Sequence, residues 1–272
     1  MKDSNLHNPL HRYALITGAA SGMGRIYAEK LAQRGYSLIL ADINGKGLDD
    51  TTELVKAQSP TVQVIIIQQD LSAADAADRI FGITEEAGCE VEVLVNNAGV
   101  MYCQGIAETS ERMLKLIMSL HMTTPLLLCR KYVNGMKERG CGYILNISSI
   151  SAWMVWPGIG MYGITKRFVR NYSRELRTEC QKTGVSVTNA YFGAVDTPLV
   201  PLQDKYRKLA RALGVMIPPE KAVHKALNAT FRRRRGTTPG ILNKIFIPLI
   251  MIVPDCLLGW IYRKAKPYLM KV

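Results

Sequence analysis

The chain is poor in the features that mark several large protein classes. Its six cysteines (Cys89, Cys103, Cys129, Cys141, Cys180 and Cys256) are scattered, with no CxxC pair and no histidine at ligand spacing. That spacing gives no zinc motif and reads as reduced thiols of a cytoplasmic protein. No secretory leader is recognisable, because residues 1–12 are polar and the first apolar run, 13–16, is far shorter than a signal core. The longest uncharged run near the C-terminus, 245–254, has ten residues and two prolines. A spanning helix needs about 20 apolar residues. Internal repeats and low-complexity linkers are missing too, and no domain boundary is visible before about residue 236.

Acids are scarce in one part of the chain only. Residues 205–272 carry 15 Lys+Arg against two acids, Glu220 and Asp255, while the first 204 residues hold 20 of each sign. The whole net charge of +13 therefore lies in the C-terminal quarter. A neutral body is followed by a basic, apolar-rich tail.

With 48% apolar residues in 272, the chain can bury a sizeable core. Short β-branched runs recur at 13–17, 37–41, 62–67, 91–96, 143–148 and 185–191. They are apolar along their whole length, which suits strands covered on both faces. Segments with helical apolar spacing lie between them, at 24–34, 46–58, 73–87, 110–137 and 161–182. Strand–helix alternation of this kind predicts an α/β fold: a doubly wound, mostly parallel sheet of Rossmann type. The expected division is an α/β domain over 1–240 with a basic, apolar helical extension over 241–272.

The first strand runs into Thr17-Gly18-Ala19-Ala20-Ser21-Gly22-Met23-Gly24, and a helix follows. Glycines at 18, 22 and 24 allow a tight turn, close approach of a pyrophosphate and close helix–strand packing. The helix N-terminus offers unpaired N–H groups to the phosphates. A glycine triplet alone is a weak signal, but its strand–turn–helix setting strengthens it. The second strand ends at Asp42, where a carboxylate accepts from ribose hydroxyls and repels a 2′-phosphate. No Lys or Arg stands beside it, which points to NAD over NADP. The other reading of Asp42 is a cap on the strand–helix connection.

With these segments in order, the chain resembles the short-chain dehydrogenase/reductase family over residues 12–236. The resemblance rests on TGxxxGxG at 17–24, on Asp70-Leu71 after the third strand, and on Asn96-Asn97-Ala98-Gly99 after the fourth. Ile147-Ser148-Ser149 follows, then Tyr162-Gly163-Ile164-Thr165-Lys166, and then Phe192-Gly193-Ala194-Val195-Asp196-Thr197-Pro198. It implies NAD as cofactor, held by Gly18, Ser21, Gly22, Met23, Gly24, Asp42, Asp70, Leu71, Asn97, Ala98, Gly99, Tyr162, Lys166, Gly193, Val195 and Thr197. It also implies a catalytic set of Ser149, Tyr162 and Lys166. The chemistry of that set is independently sensible. Hydride transfer to a ketone builds charge on oxygen, a phenol can supply the proton, and an ammonium one helical turn away favours the phenolate. In isolation, Tyr162 and Lys166 would read as an ordinary helix pair.

Two positions depart from the family pattern. Family members often carry an asparagine in the helix after NNAG. Here the matching residue, 24 positions beyond Asn97 and four before Pro125, is His121. It is a candidate catalytic residue, either altering a proton relay or only packing. The usual proline before Gly193 is Phe192.

A lid is expected at about 199–213, with cations on one side (Lys205, Arg207, Lys208, Arg211) and Leu202, Leu209 and Leu213 on the other. Residues 241–272 combine apolar residues, Trp260 and Tyr262 with flanking cations. That composition suits a segment lying in a membrane interface; the alternatives are a flap over a greasy pocket or an oligomer contact. Nucleic acid is not an expected partner, because the Arg232–Arg235 run lacks interleaved base-stacking aromatics. The expected activity is hydride exchange with a lipophilic, lipid- or steroid-like alcohol or ketone in the cytoplasm, with peripheral membrane association open. A 3-oxoacyl or 3-ketosphinganine-type reductase is the alternative, and a non-catalytic cofactor scaffold is a weaker one. By resemblance alone, a homodimer or homotetramer is expected.

Overall fold

The computed structural model describes residues 12–102, 104–153, 160–197, 199, 207–208, 210–211, 215–240, 247–249, 251, 253–254, 256–260 and 263–264. The strands are β1 (Arg12–Thr17), β2 (Ser37–Asp42), β3 (Val64–Gln68), β4 (Glu90–Asn96), β5 (Gly142–Ser149) and β6 (Val185–Phe192), with short β7 (Ala194–Val195), β8 (Met216–Ile217) and β9 (Gly236–Thr237). The helices are α1 (Gly22–Ala32), α2 (Gly45–Gln58), α3 (Ala76–Glu86), α4 (Glu111–Met118), α5 (Thr124–Glu138), α6 (Gly160–Glu179) and α7 (Pro219–Phe231).

Seven strands form one parallel sheet in the order β3-β2-β1-β4-β5-β6-β9, and β7 pairs with β8 beside it. The order reverses between β1 and β4, and ligands of such sheets bind in the crevice above that point. Alternate residues of each strand enter opposite cores. Ala14 and Ile16 of β1 pack with Tyr27, Leu31 and Ala226 on the α1/α2/α7 face. Tyr13 and Leu15 pack with Ile80, Leu128 and Tyr132 on the α3/α5 face. This two-sided burial is why the strands read as unbroken apolar runs.

The doubly wound α/β expectation is met, with local shifts. The third strand starts at Val64, after Pro60, Thr61 and Val62 have turned out of α2. The long helix expected over 110–137 is two helices, α4 and α5, joined by a π-helical turn over Ser119–Thr123. Such turns admit an extra residue and are frequent at functional sites. Periodicity over so long a window does not register one inserted residue. The turn carries His121.

Candidate functional site: a dinucleotide pocket meeting a Ser–Tyr–Lys cluster

The glycine-rich turn is shaped by backbone demands. Gly18 has φ +68°, and a Cβ there would meet Ala98 Cα and Asn97 Nδ2, both at 2.9 Å. A Cβ on Gly24 would stand 1.9 Å from the Gly18 carbonyl oxygen, so Gly24 is the packing glycine rather than a pocket wall. Ser21 caps α1 without a side-chain hydrogen bond to it, which leaves the first N–H groups of the helix available to an anion. Thr17 Oγ1 accepts from the N–H groups of Asn97 (3.0 Å) and Ala98 (3.1 Å) and ties the turn to the end of β4. Asn97 Nδ2 donates to the Thr17 carbonyl at 3.0 Å.

Above this turn lies a pocket of about 510 Å³. Of the residues named from the sequence, Gly18, Ser21, Gly22, Met23, Asp42, Asp70, Leu71, Asn97, Ala98, Gly99 and Thr197 line it. Asp42 has a structural task as well. Its Oδ2 accepts from Ala20 N–H (3.1 Å) and its Oδ1 from Asn44 N–H (3.0 Å). Each carboxylate oxygen can accept more than one bond, so capping and ribose recognition are compatible. Arg25, the cation nearest the turn in sequence, is engaged with Ala20 O (2.9 Å) and Thr51 Oγ1 (3.1 Å). Asp70 Oδ1 accepts from Ser72 N–H at 2.8 Å and Ser72 Oγ at 2.7 Å, an Asx turn that fixes the segment after β3.

A second pocket of about 360 Å³ adjoins the first and shares Met23, Asn97, Gly99, Val100, Thr197 and Leu199 with it. Ser149, Tyr162, Lys166, Gly193 and Val195 line it. Ser149 ends β5, and its Oγ accepts from Ser151 N–H at 3.1 Å. Lys166 is buried under the site, where its Nζ donates to the Ile147 carbonyl at 3.1 Å and lies 5.5 Å from the centre of the Tyr162 ring. Burial lowers its pKa from 10.5 to about 8. Ser148 Oγ donates to the Lys166 carbonyl at 3.0 Å, which pins α6 to β5.

His121 lines neither pocket. It is 1% exposed and stands behind Gly99, where a Cβ would come within 3.0 Å of its Nε2. Its ring meets Tyr162 edge-on, with centroids 5.8 Å apart. Nε2 lies 2.9 Å from the Val100 N–H, which can only donate. Nε2 must therefore accept, and Nδ1 carries the proton and donates to Thr165 Oγ1 at 3.0 Å. Thr165 Oγ1 then donates to the Tyr162 carbonyl at 2.9 Å. Burial, followed by the Lys166 charge, holds the imidazole pKa well below its usual value, so the ring is neutral.

Several pocket residues were not named as site residues from the sequence: Ile43, Ser72, Val100, Met101, Leu116, Leu120, Ile150, Ser151 and Ala194; Leu199 begins the expected lid. Most follow a motif residue by one or two positions or, like Leu116 and Leu120, sit one helical turn apart. Most of the expected lid lies outside the described residues. Of its described part, Arg207 Nη1 pairs with Asp196 at 2.7 Å and Arg211 pairs with the same carboxylate. The extension over 241–272 is also largely outside them. No described helix is long and apolar enough to cross a membrane.

A glycine turn at a helix N-terminus, a carboxylate at the end of β2 and a crevice at the strand-order reversal define a Rossmann-type dinucleotide-binding protein, and the residues present fit a nicotinamide dinucleotide. The short chain dehydrogenase family model matches residues 12–207, and the chain belongs to that family. It is 33% identical over 183 residues to very-long-chain 3-oxoacyl-CoA reductase-A of Danio rerio, covering 65% of this chain and 56% of that protein. It is 34% identical over 192 residues to 17-beta-hydroxysteroid dehydrogenase type 3 of Danio rerio, covering 68% of this chain and 61% of that protein. The chain thus spans little more than half the length of these relatives; against the Rattus norvegicus very-long-chain 3-oxoacyl-CoA reductase, 30% identical, it covers 78%. Among solved structures, a short-chain dehydrogenase from Sphingobium yanoikuyae in complex with NADPH superposes with a TM-score of 0.75 at 25% identity, over 89% of this chain and 96% of that one.

Proposed function

We propose that this chain is an oxidoreductase that moves a hydride between a nicotinamide dinucleotide, NAD by preference, and the carbon of a lipophilic secondary alcohol or ketone. The observation that carries the reading is the meeting of Ser149, Tyr162 and Lys166 in one largely apolar cavity that opens into the dinucleotide pocket. When bound, the cofactor donates or accepts the hydride. Tyr162 exchanges the proton at the substrate oxygen. The buried Lys166 ammonium, charged at neutral pH, favours the phenolate. Ser149 Oγ, oriented by the Ser151 N–H, donates to the same oxygen. Asp42 supports the NAD preference through its position at the end of β2 on the wall of the dinucleotide pocket. His121, with both nitrogens bonded, acts as a positioning residue, because a relay through the ring would first have to break one of those bonds. The test is nucleotide absorbance on a panel of lipid ketones and alcohols with both cofactors, with Tyr162→Phe as an inactive control. NADH binding without turnover on any of them would sink the reading in favour of a scaffold.

The names of the relatives favour a second substrate class, a 3-oxoacyl group, and the same panel separates it from steroid-like ketones. We further propose that residues 1–240 form the catalytic domain and that 241–272 contacts a membrane surface. Leu249, Met251, Leu257 and Trp260 are large apolar residues exposed on that extension. Deleting 241–272 should abolish binding to anionic vesicles. Met118, Leu126 and Ile164, exposed on α4, α5 and α6, favour pairing of two copies through these helices. A sedimentation measurement on Ile164→Glu, expected to run as a smaller species than the unmodified chain, tests this.

A further inference from the structure

A further cavity of the described molecule lies away from the site above. It is a groove of about 1190 Å³ at the β6–β9 edge of the sheet, walled by the C-terminal half of α6 on one side and by residues 233–238 on the other. Seven cations line it: Arg170, Arg174, Arg177, Lys182, Arg233, Arg234 and Arg235. No Asp or Glu does. Among the described residues, none of the seven forms an ion pair.

The groove is built rather than incidental. Arg177 is fixed by three neutral acceptors, Ser186 Oγ (3.2 Å), Val187 O (2.8 Å) and Arg233 O (2.7 Å). Arg233 Nη1 donates to the Gly184 carbonyl at 2.7 Å. Arg170 lies flat over the Trp153 ring, 3.6 Å from its centre, which places the guanidinium without neutralising it. Among the described residues, Lys182 (φ +64°) and Arg233 (φ +53°) are the only two, glycines aside, in the left-handed backbone region, and both are cations of this groove. That conformation is uncommon for any residue with a Cβ and is found where the surrounding chain imposes it. Burial, and after it the charge of neighbouring Arg235, lowers the pKa of Arg177.

Guanidinium clusters of this kind match phosphate oxygens, which accept paired N–H donors. Thr237 and Thr238 line the groove, and two residues later, at Gly240, the chain passes into the extension with exposed Leu249, Met251, Leu257 and Trp260. A cationic cleft followed closely in sequence by exposed apolar side chains suits a surface that offers both phosphate and hydrocarbon. We infer that this groove binds the phosphate headgroup of an anionic membrane lipid. The inference does not rest on the hydride-transfer reading.

The test compares the full chain with an Arg174→Glu/Arg234→Glu/Arg235→Glu variant, which spares the arginines that hold backbone carbonyls. Co-sedimentation is measured with phosphatidylcholine vesicles, with and without phosphatidylglycerol. The chain should bind only the anionic vesicles, and the variant should bind them on the order of ten-fold more weakly or less. Far-UV circular dichroism and the thermal midpoint serve as fold controls. An Arg→Gln version of the same three positions is read if the Glu version does not fold. Equal binding to neutral vesicles, or undiminished binding by a folded variant, overturns the inference. So does saturable binding of inorganic phosphate without vesicle affinity, which would make free phosphate the ligand. Preferred binding of a DNA duplex, or loss of a dimer in the variant, overturns it in favour of nucleic acid or a second copy.

Discussion

Replacing Lys166 with methionine should make the cofactor-free protein more stable while removing its activity. The buried ammonium has its pKa lowered from 10.5 to about 8, a displacement of about 3 kcal/mol against the charged form. In the window between about pH 8 and 10.5, the unfolded chain holds this proton and the folded one releases it. Wild-type stability from this group therefore rises with pH across that window, and at pH 7 the cost of burial is fully present. Methionine fills the space without charge but forfeits the Nζ bond to the Ile147 carbonyl, about 1 kcal/mol. The net gain at pH 7 is about 2 kcal/mol, or roughly 4–8 °C in Tm for a body of this size. Between pH 7 and 9 the wild type regains about 1 kcal/mol from Lys166 alone, so the gap should halve. Urea denaturation of both proteins at the two pH values measures it. A variant less stable than wild type at pH 7, or a gap independent of pH, would refute the claim that the lysine is held charged at a cost.

His121→Ala should lower kcat far more than it weakens NAD binding, by roughly 10-fold or more if Tyr162 loses its support. His121→Asn, which can still accept from Val100 N–H, should recover part of the loss, and a kcat–pH profile unchanged in shape would confirm that the ring is not a relay. Gly99→Ala drives a methyl to within 3.0 Å of His121 Nε2 and should cost about 1–3 kcal/mol of stability together with turnover. Gly82→Ala, in the middle of α3 with nothing within 4 Å of the new Cβ, should instead stabilise by about 0.5–1 kcal/mol, as thermal melts would show. Asp42→Ala should narrow the ratio of kcat/KM for NADH over NADPH, and an unchanged ratio would reduce Asp42 to its capping bonds with Ala20 and Asn44.

The sheet was legible because a parallel strand covered on both faces must be apolar at every position, as in Leu38-Ile39-Leu40-Ala41. The cofactor pocket was legible for a different reason. Gly18 and Gly24 stand where a Cβ would meet backbone, and such demands leave marks at fixed spacing. What escaped depended on long-range packing. The π-turn at Ser119–Thr123 has no residue signature, since a widened turn can hold ordinary helix formers. The fully bonded state of His121 needed Val100, 21 positions away, and Thr165, 44 positions away. The cationic groove was half visible as the Arg232–Arg235 run. Its other wall is spread along α6 at helical intervals that look like an ordinary solvated face until the sheet edge brings the two together.

Helix α6 joins the two ends of the molecule. Lys166, Arg170, Arg174 and Arg177 follow one another at intervals of four, four and three residues, and so share one face. Like charges at these spacings oppose helix formation by about 0.2–0.5 kcal/mol per pair. Only the last of them, in the final turn, gains from the helix dipole. No acid of α6 lies on that stripe within the groove, although Glu175 and Glu179 on the same helix show that acids are accommodated there. The first cation of the stripe has a clear use: buried beneath Tyr162, its charge serves the proposed proton transfer. The next three are not in contact with that chemistry, yet each adds a like-charge pair along the helix. A stripe that opposes its own helix and is left without counter-charge among the described residues is what a site for an external anion requires.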